Sequence, residues 1–282
     1  MTAQCEVCFR QCRLEEGQTG FCGARENQGG MIIPKSYGQL TAIALDPIEK
    51  KPLARFFPGS MILSVGSYGC SMACPFCQNH EIARPADVPP TQYVIPEELA
   101  KAAVRLKRQG NIGVAYTYNE MTTAYEYIRD TAKLVRAQSM KNVLVTNGNV
   151  RAEVLKTFLP YIDAMNIDLK GFSDRYYRDV LGGSREMTMR FIEKAARACH
   201  VELTCLIVPG ENDSEDEIDE MSRWIASLET EREDDGISIP LHISRFFPRF
   251  HMTDRGPTPV ATVYRLADKA REHLRYVYTG NC

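Results

Sequence analysis

The sequence predicts an α/β chain whose mostly parallel sheet curls into a partial (β/α)6, TIM-like barrel, on three observations. Short β-rich runs recur at 61–66, 113–118, 142–147, 164–169, 201–208 and 239–245, with a last one at 274–279. Helical patterns of ten or more residues lie between them, and such alternation means βαβ units with crossover helices. The rhythm continues from residue 61 almost to residue 282, a length ordinary for one barrel. A doubly wound open sheet is the rival arrangement. In either, ligands bind at the carboxyl ends of the strands, where the connecting loops converge.

Residues 1–35 are rich in cysteine and glycine and poor in apolar periodicity, so they are expected to form a small Cys-rich N-terminal appendage. Residues 36–60 read as a connecting segment: a short apolar run from Gln39 to Leu45 suits a strand, and Asp46 to Gly59, bounded by prolines, suits an ordered loop. The core domain is expected over 61–282. Within it, Leu99, Ala102, Ala103 and Leu106 share one helical face, as do Ala124, Tyr127, Ile128, Thr131 and Val135, and again Ile218, Met221, Ile225 and Leu228. Ser214 with Glu217 three residues on is a capping-box signature. Thr258-Pro259 reads as a cap residue before a proline at the first helical position.

Composition narrows the function class. With 34 basic and 36 acidic residues the net charge is -2, which gives no ground for nucleic acid or an anionic membrane as partner. No apolar stretch approaches the ~20 residues of a membrane span. The start lacks the basic and apolar regions of a signal peptide, so a cytoplasmic location is expected. In that reducing compartment ten cysteines read as metal ligands rather than bridges.

Three of them, Cys70, Cys74 and Cys77, follow the first barrel strand at C-x3-C-x2-C spacing, with no further cysteine in the next hundred residues. A closed structural metal site wants four ligands, so a three-thiolate loop suggests a centre with one position open for chemistry. A structural zinc loop is the plain alternative. With Phe76 the run resembles the C-x3-C-x-(aromatic)-C signature of the radical S-adenosylmethionine (SAM) superfamily. That resemblance implies a 4Fe–4S cluster on the three thiolates, S-adenosyl-L-methionine chelated at the fourth iron, and reductive cleavage to a 5′-deoxyadenosyl radical that abstracts hydrogen. It also implies an electron donor such as flavodoxin or ferredoxin.

Further candidates end successive strands. The resemblance puts Asn119 or Glu120 near the methionine ammonium, although an acid ahead of a helix can also serve only its N-terminus. Thr146, Asn147 and Gly148 form a turn whose glycine permits close backbone approach. Alternation aims Asp168 and Lys170 the same way, to contact cofactor or to pair with each other. His242, with Arg245, Arg249, His251 and Arg255 following, suits an anionic or peptide-like substrate or the adenosine end of the cofactor, or is a satisfied strand histidine. His200 and His273 sit at helix ends and read as structural, and Cys199 and Cys205 as small core residues.

The order Cys5-x2-Cys8-x3-Cys12, Gly20-Phe-Cys22-Gly23-x-Arg25, Asp46-Pro-Ile-Glu-Lys-Lys-Pro, Pro58-Gly59-Ser60, Cys74-x-Phe-Cys77-Gln-Asn79, Tyr116-Thr-Tyr-Asn-Glu120, Asn166-Ile-Asp-Leu-Lys170 and His242-x-Ser-Arg-Phe246 is similar to one group over nearly the whole chain. That group is the AmmeMemoRadiSam-system radical SAM enzymes, relatives of pyruvate formate-lyase activating enzymes. Met121 stands where the group usually has proline, and many members continue into a C-terminal Cys-x2-Cys ribbon that this sequence lacks. The resemblance implies an oxidoreductase acting on a small molecule or on a partner protein that is Memo-like, AMMECR1-like or a glycyl radical protein. A non-catalytic metal-binding or sensory module is the alternative of another class.

Cys5, Cys8, Cys12 and Cys22, spaced 2, 3 and 9, do not match the ferredoxin pattern. Four thiolates in a segment with little core of its own suit structural zinc. An auxiliary cluster and unmetallated thiols remain the other readings.

Overall fold

The computed structural model describes residues 1–230 and 236–282. Its main sheet has eight strands: β1 (Ala42–Pro47), β2 (Met61–Gly66), β3 (Asn111–Tyr116), β4 (Lys141–Thr146), β5 (Ala164–Asp168), β6 (His200–Ile207), β7 (Leu241–Arg245) and β8 (Val277–Gly280). They lie side by side in chain order, β2 to β8 all parallel and β1 antiparallel to β2. The sheet is open between β1 and β8, so the expected partial barrel with a trailing strand is the observed one. Every predicted strand of the core is present, within a few residues of its expected bounds.

Parallel strands read as buried runs because crossover helices cover their outer face. Those helices are α1 (Pro96–Arg105), α2 (Tyr125–Ala137), α3 (Ala152–Phe158), α4 (Arg185–Ala196), α5 (Glu215–Ala226) and α6 (Val260–Arg271). α2 buries Tyr127, Ile128, Thr131 and Val135 of the stripe its periodicity predicts, together with Ala132, while Ala124 of that stripe stands just before the helix. α5 starts where the capping box places it: the Ser214 hydroxyl accepts from the Glu217 amide at 3.2 Å. The other cap differs. Pro259 is itself the residue before α6, and Thr258 is drawn inward, donating to Ile207 O at 2.5 Å and accepting from the Phe246 amide at 3.3 Å. Its hydroxyl ties the ends of β6 and β7 together instead of capping the helix. None of the helices among the described residues is long and apolar enough to cross a membrane.

Residues 36–60 do more than connect. The apolar run expected over 39–45 is divided: Gln39–Leu40 pairs with Gln92–Tyr93, and β1 begins only at Ala42 and reaches Pro47. The loop after it folds under the amino ends of the strands. Ile48, Leu53 and Phe56 pack there against Ile62, Ala115, Val143 and Ala164. Asn166 donates to Pro52 O at 2.8 Å, and the fully buried Glu202 accepts from the amides of Ala54 (2.9 Å) and Arg55 (2.7 Å). Glu202 also meets His200 Nε2 at 2.9 Å and His242 Nε2 at 2.6 Å. This polar knot closes one end of the barrel and leaves the other, the carboxyl end, for chemistry.

The N-terminal residues form two hairpins, Ala3–Gln4 with Arg13–Leu14 and Arg25–Gln28 with Met31–Pro34, lying against the carboxyl end. Cys8 bridges to Val150 after β4, and Arg25 pairs with Glu126 of α2 at 2.8 Å.

Burial alone would raise the Glu202 carboxyl, but its two histidines and two amides bring it down to about 2. A carboxylate depressed on folding contributes stability above its unfolded value, and that contribution is lost as pH falls through the folded one. Glu202→Gln should therefore cost about 3 kcal/mol near neutral pH and flatten the decline in stability between about pH 4.5 and 2. Urea denaturation across that range checks it; an unchanged acid limb in the variant contradicts it.

Candidate active site

A loop without regular structure must find partners for its backbone groups elsewhere, and the loop after β2 finds them in every neighbouring segment. Asn119 holds its start, accepting from Ser67 N at 2.8 Å and donating to Gly69 O at 3.0 Å. The Cys70 amide donates to Cys22 O of the N-terminal segment at 3.3 Å, and Arg10 Nε donates to Ser71 O at 2.6 Å. Ala73 N donates to Leu181 O at 2.9 Å, and Pro75 O accepts from His251 N at 2.8 Å. Gly69 sits at φ +94°, where a Cβ would meet Cys22 O at 2.5 Å, so both conformation and space require glycine.

Cys70, Cys74 and Cys77 therefore stand at the carboxyl end of the sheet, each partly buried. Met72, Phe76, Tyr176, Tyr177, Leu181, Val208, Phe246 and Met252 make an apolar cluster behind Cys70 and Cys74, with Phe76 edge-on to Phe246 at 6.1 Å. Burial pushes the Cys74 thiol up to about 11 and raises Cys70 and Cys77 as well. At neutral pH these are protonated thiols until a metal displaces the protons. The donor set fits a soft iron–sulfur group. Among the described residues no three cysteine sulfurs lie within 4.8 Å of one another, whereas one tetrahedral zinc at its normal bond length draws its sulfurs to roughly 3.8 Å.

Glu120 is 4 % exposed and fully occupied by the protein. One oxygen accepts from Thr122 N (3.3 Å), Thr122 Oγ1 (2.5 Å) and Thr146 Oγ1 (2.8 Å), and the other from Asn147 N at 2.7 Å. Burial raises its pKa, against the pull of these donors. Glu120 and Thr146 thus lock the turns after β3 and β4 to each other. Asn147, set by that lock, places Nδ2 3.5 Å from Cys70 Sγ and 3.4 Å from Ser71 Oγ. Met121 is buried and opens the short turn leading into α2.

Across the mouth Lys170 Nζ lies 2.8 Å from Asp168 Oδ2. Burial works against the ammonium, but Asp168, aided by Cys74, holds its pKa well above the usual lysine value. Its charge in turn pulls the Cys74 and Cys77 thiols down against burial.

The structure brings Cys70, Cys74, Cys77, Phe76, Asn119, Glu120, Thr146, Asn147, Asp168 and Lys170 to one end of the sheet. His242 is elsewhere: near the start of β7, bonded to Glu202 and stacked on Tyr278 at 5.2 Å between centroids. Its place in the knot that closes the opposite end removes it from the candidate set. His200 lies in the same knot, 2.9 Å from Glu202, and His273 Nε2 lies 2.9 Å from Asp219, away from the cysteine loop.

Several contributors escape sequence reasoning. Arg10 reaches both Ser71 O and Gly182 O (2.7 Å) from the N-terminal hairpin, with nothing in its surroundings to mark it. The π-helical turn Tyr176–Leu181 backs the cysteine loop and ends at Gly182, where φ is +59°; Leu-Gly-Gly was its signal. Asn212 donates to Lys170 O at 2.7 Å and Leu206 O at 2.9 Å and accepts from Val208 N at 2.7 Å, fixing the strand ends beside the ion pair.

Comparison with known proteins agrees with this geometry. The model of the Radical SAM superfamily matches residues 64–225. The chain is 39% identical over 281 residues to the uncharacterized protein MJ0808 of Methanocaldococcus jannaschii, covering 99% of this chain and 81% of that one. It is 28% identical over 154 residues to the pyruvate formate-lyase 1-activating enzyme of Escherichia coli K12, covering 52% and 61%. Streptococcus suis SuiB, in a crystal structure bound to S-adenosylmethionine, shares the fold with a TM-score of 0.59 at 12% identity; the match covers 76% of this chain and about half (48%) of SuiB. The family's model spans more than half of the chain and the cysteine loop within it: the protein belongs to the radical SAM superfamily, and is a radical SAM enzyme of a family that implies a 4Fe–4S cluster and S-adenosylmethionine.

Proposed function

We propose that Cys70, Cys74 and Cys77 ligate the 4Fe–4S cluster and that the mouth formed by Asn147, Asp168 and Lys170 receives S-adenosylmethionine. The observation that carries this is the geometry of the loop: three partly buried thiols at the carboxyl end of a parallel barrel, which among the described residues do not all lie within 4.8 Å of one another as ligands of one metal ion would. When bound, the cluster and cofactor supply a 5′-deoxyadenosyl radical for hydrogen abstraction, and the chain supplies binding and orientation. Asn147 directs an N–H at the Cys70 sulfur. The Lys170 ammonium offsets the negative charge that three thiolates bring into an apolar pocket. Asp168, which pairs with that lysine and stays partly exposed, is the mouth's anionic group and the best partner here for a cationic amino group or sulfonium. Glu120 acts through Thr146 and Asn147 and is a positioning residue.

The enzyme needs a one-electron reductant, of which flavodoxin or ferredoxin is the type. The whole-chain motif order supports membership of the AmmeMemoRadiSam-system group, with a small molecule or a Memo-like or AMMECR1-like protein as target. Glycyl radical activation is a second reading, supported by the 28% identity to the activating enzyme from E. coli. A radical doublet in the EPR spectrum of a glycyl radical protein encoded nearby would favour the second; a Memo-like neighbour favours the first.

Cys74→Ala should lose about four irons per chain and all dithionite-dependent 5′-deoxyadenosine. Retained iron with unchanged cleavage, measured after anaerobic reconstitution, overturns the assignment of the loop. Asn147→Ala should keep its iron but lower the cluster's reduction potential by on the order of tens of millivolts, because hydrogen bonds to cluster sulfurs favour the reduced state. An unshifted potential in a redox titration would show that the N–H does not tune the sulfur.

A further inference from the structure

Cys5, Cys8, Cys12 and Cys22 converge on one cavity that Arg10, Arg25 and Ser71 also line. All four are free thiols. The first hairpin brings Cys5 and Cys12 together, through a bond from Cys5 N to Cys12 O at 2.9 Å, and Cys8 forms its tip. The Gly20–Gly23 turn delivers Cys22 from the other side.

We propose that this quartet holds a second 4Fe–4S cluster, which passes single electrons to the cofactor site at Cys70, Cys74 and Cys77; the second half of this rests on the function proposed above. Three observations favour a cluster over the zinc that composition suggested. No three of the four sulfurs lie within 4.8 Å of one another among the described residues. That is too open for a single tetrahedral ion, but suits thiolates that each bind a different iron at the corner of a cube.

Arg25 is 4 % exposed, and its Nε–H has no partner within the protein although both terminal nitrogens are bonded to Glu126. A buried, unpartnered cationic donor beside four sulfurs suits an anionic group whose sulfurs accept hydrogen bonds. Last, the Cys22 carbonyl accepts the Cys70 amide at 3.3 Å, and Arg10 bonds the adjacent Ser71 carbonyl at 2.6 Å. A bonded route therefore leads from one cysteine set to the other. Zinc, which has no redox chemistry, would use none of it.

The transfer balances simply. One electron enters the quartet from a reduced one-electron carrier, which is oxidised, and one electron leaves for the Cys70 site. No bond is made or broken at the quartet itself.

The test is metal, sulfide and spectroscopic analysis of the anaerobically reconstituted Cys70→Ala/Cys74→Ala/Cys77→Ala protein, which leaves the quartet intact. The proposal expects about four irons and four sulfides per chain, and an EPR signal on reduction. One zinc without sulfide, or no metal, overturns it. The unaltered protein is analysed alongside, so that misfolding of the variant does not decide the matter: Mössbauer spectra should account for about eight irons, and about four would count against the second cluster. Cys8→Ala/Cys12→Ala separates the two claims. It should keep about four irons and its turnover with dithionite, yet lose at least about tenfold in rate with a protein electron donor. Equal rates with that donor would refute the relay while leaving the cluster. Iron absent from this variant but present in the triple one would instead refute the assignment of the Cys70 loop.

Discussion

The arrangement depends on one constraint: three cysteines must be held on an irregular loop whose backbone has no helix or sheet ladder of its own. Each amide or carbonyl left unpaired there would cost free energy comparable to a lost hydrogen bond. The partners come from separate parts of the chain. Cys22 and Arg10 reach in from the N-terminal hairpins, Asn119 from the turn after β3, Leu181 from the π-helical turn after β5, and His251 from the segment after β7. The loop is thus a meeting point of the fold, and the hairpins at the start of the chain are part of its support.

Glu120 extends the same logic. A carboxylate at the mouth reads as a ligand for a cationic cofactor, but four donors surround this one and solvent scarcely reaches it. Its oxygens accept from amides and hydroxyls whose positions it fixes, and the side chain that benefits is Asn147, poised against Cys70. The exposed acid at the mouth is Asp168, a third of whose side chain remains accessible beside Lys170. At the opposite end Glu202 does for the barrel floor what Glu120 does for the mouth, and takes His242 with it.

Much of this was legible in the residues. Strand runs and helical stripes are period signals, and those of β2 to β8 and of α2 and α5 appear where the pattern puts them because both faces of a parallel sheet must be covered. The Cys70 loop was legible because thiolate spacing at a strand end is a chemical signature. What sequence could not show is which polar group meets which. Glu120 and Asp168 are both acids after a strand, and only packing separates an interior anchor from a mouth residue. Likewise His242 lies on a strand whose carboxyl end faces the site, but it sits too early along that strand to reach it. The edge strand β1 was blurred because Gln39–Leu40 and Ala42–Pro47 form one apolar stretch in sequence and pair with different neighbours in space. Thr258 was misjudged because a Thr-Pro pair signals a cap with equal force whether or not a nearby carbonyl competes for the hydroxyl.

The central claim is that the three-thiolate loop leaves one coordination position for the cofactor itself. Electron–nuclear double resonance on the reduced protein, with S-adenosylmethionine isotopically labelled at its amino nitrogen, addresses that position directly. The account predicts a resolved coupling between that nitrogen and the cluster held by Cys70, Cys74 and Cys77, accompanied by a change in the cluster's EPR spectrum on adding the cofactor. A spectrum unchanged by the cofactor, with no nitrogen coupling under saturating conditions, would contradict it.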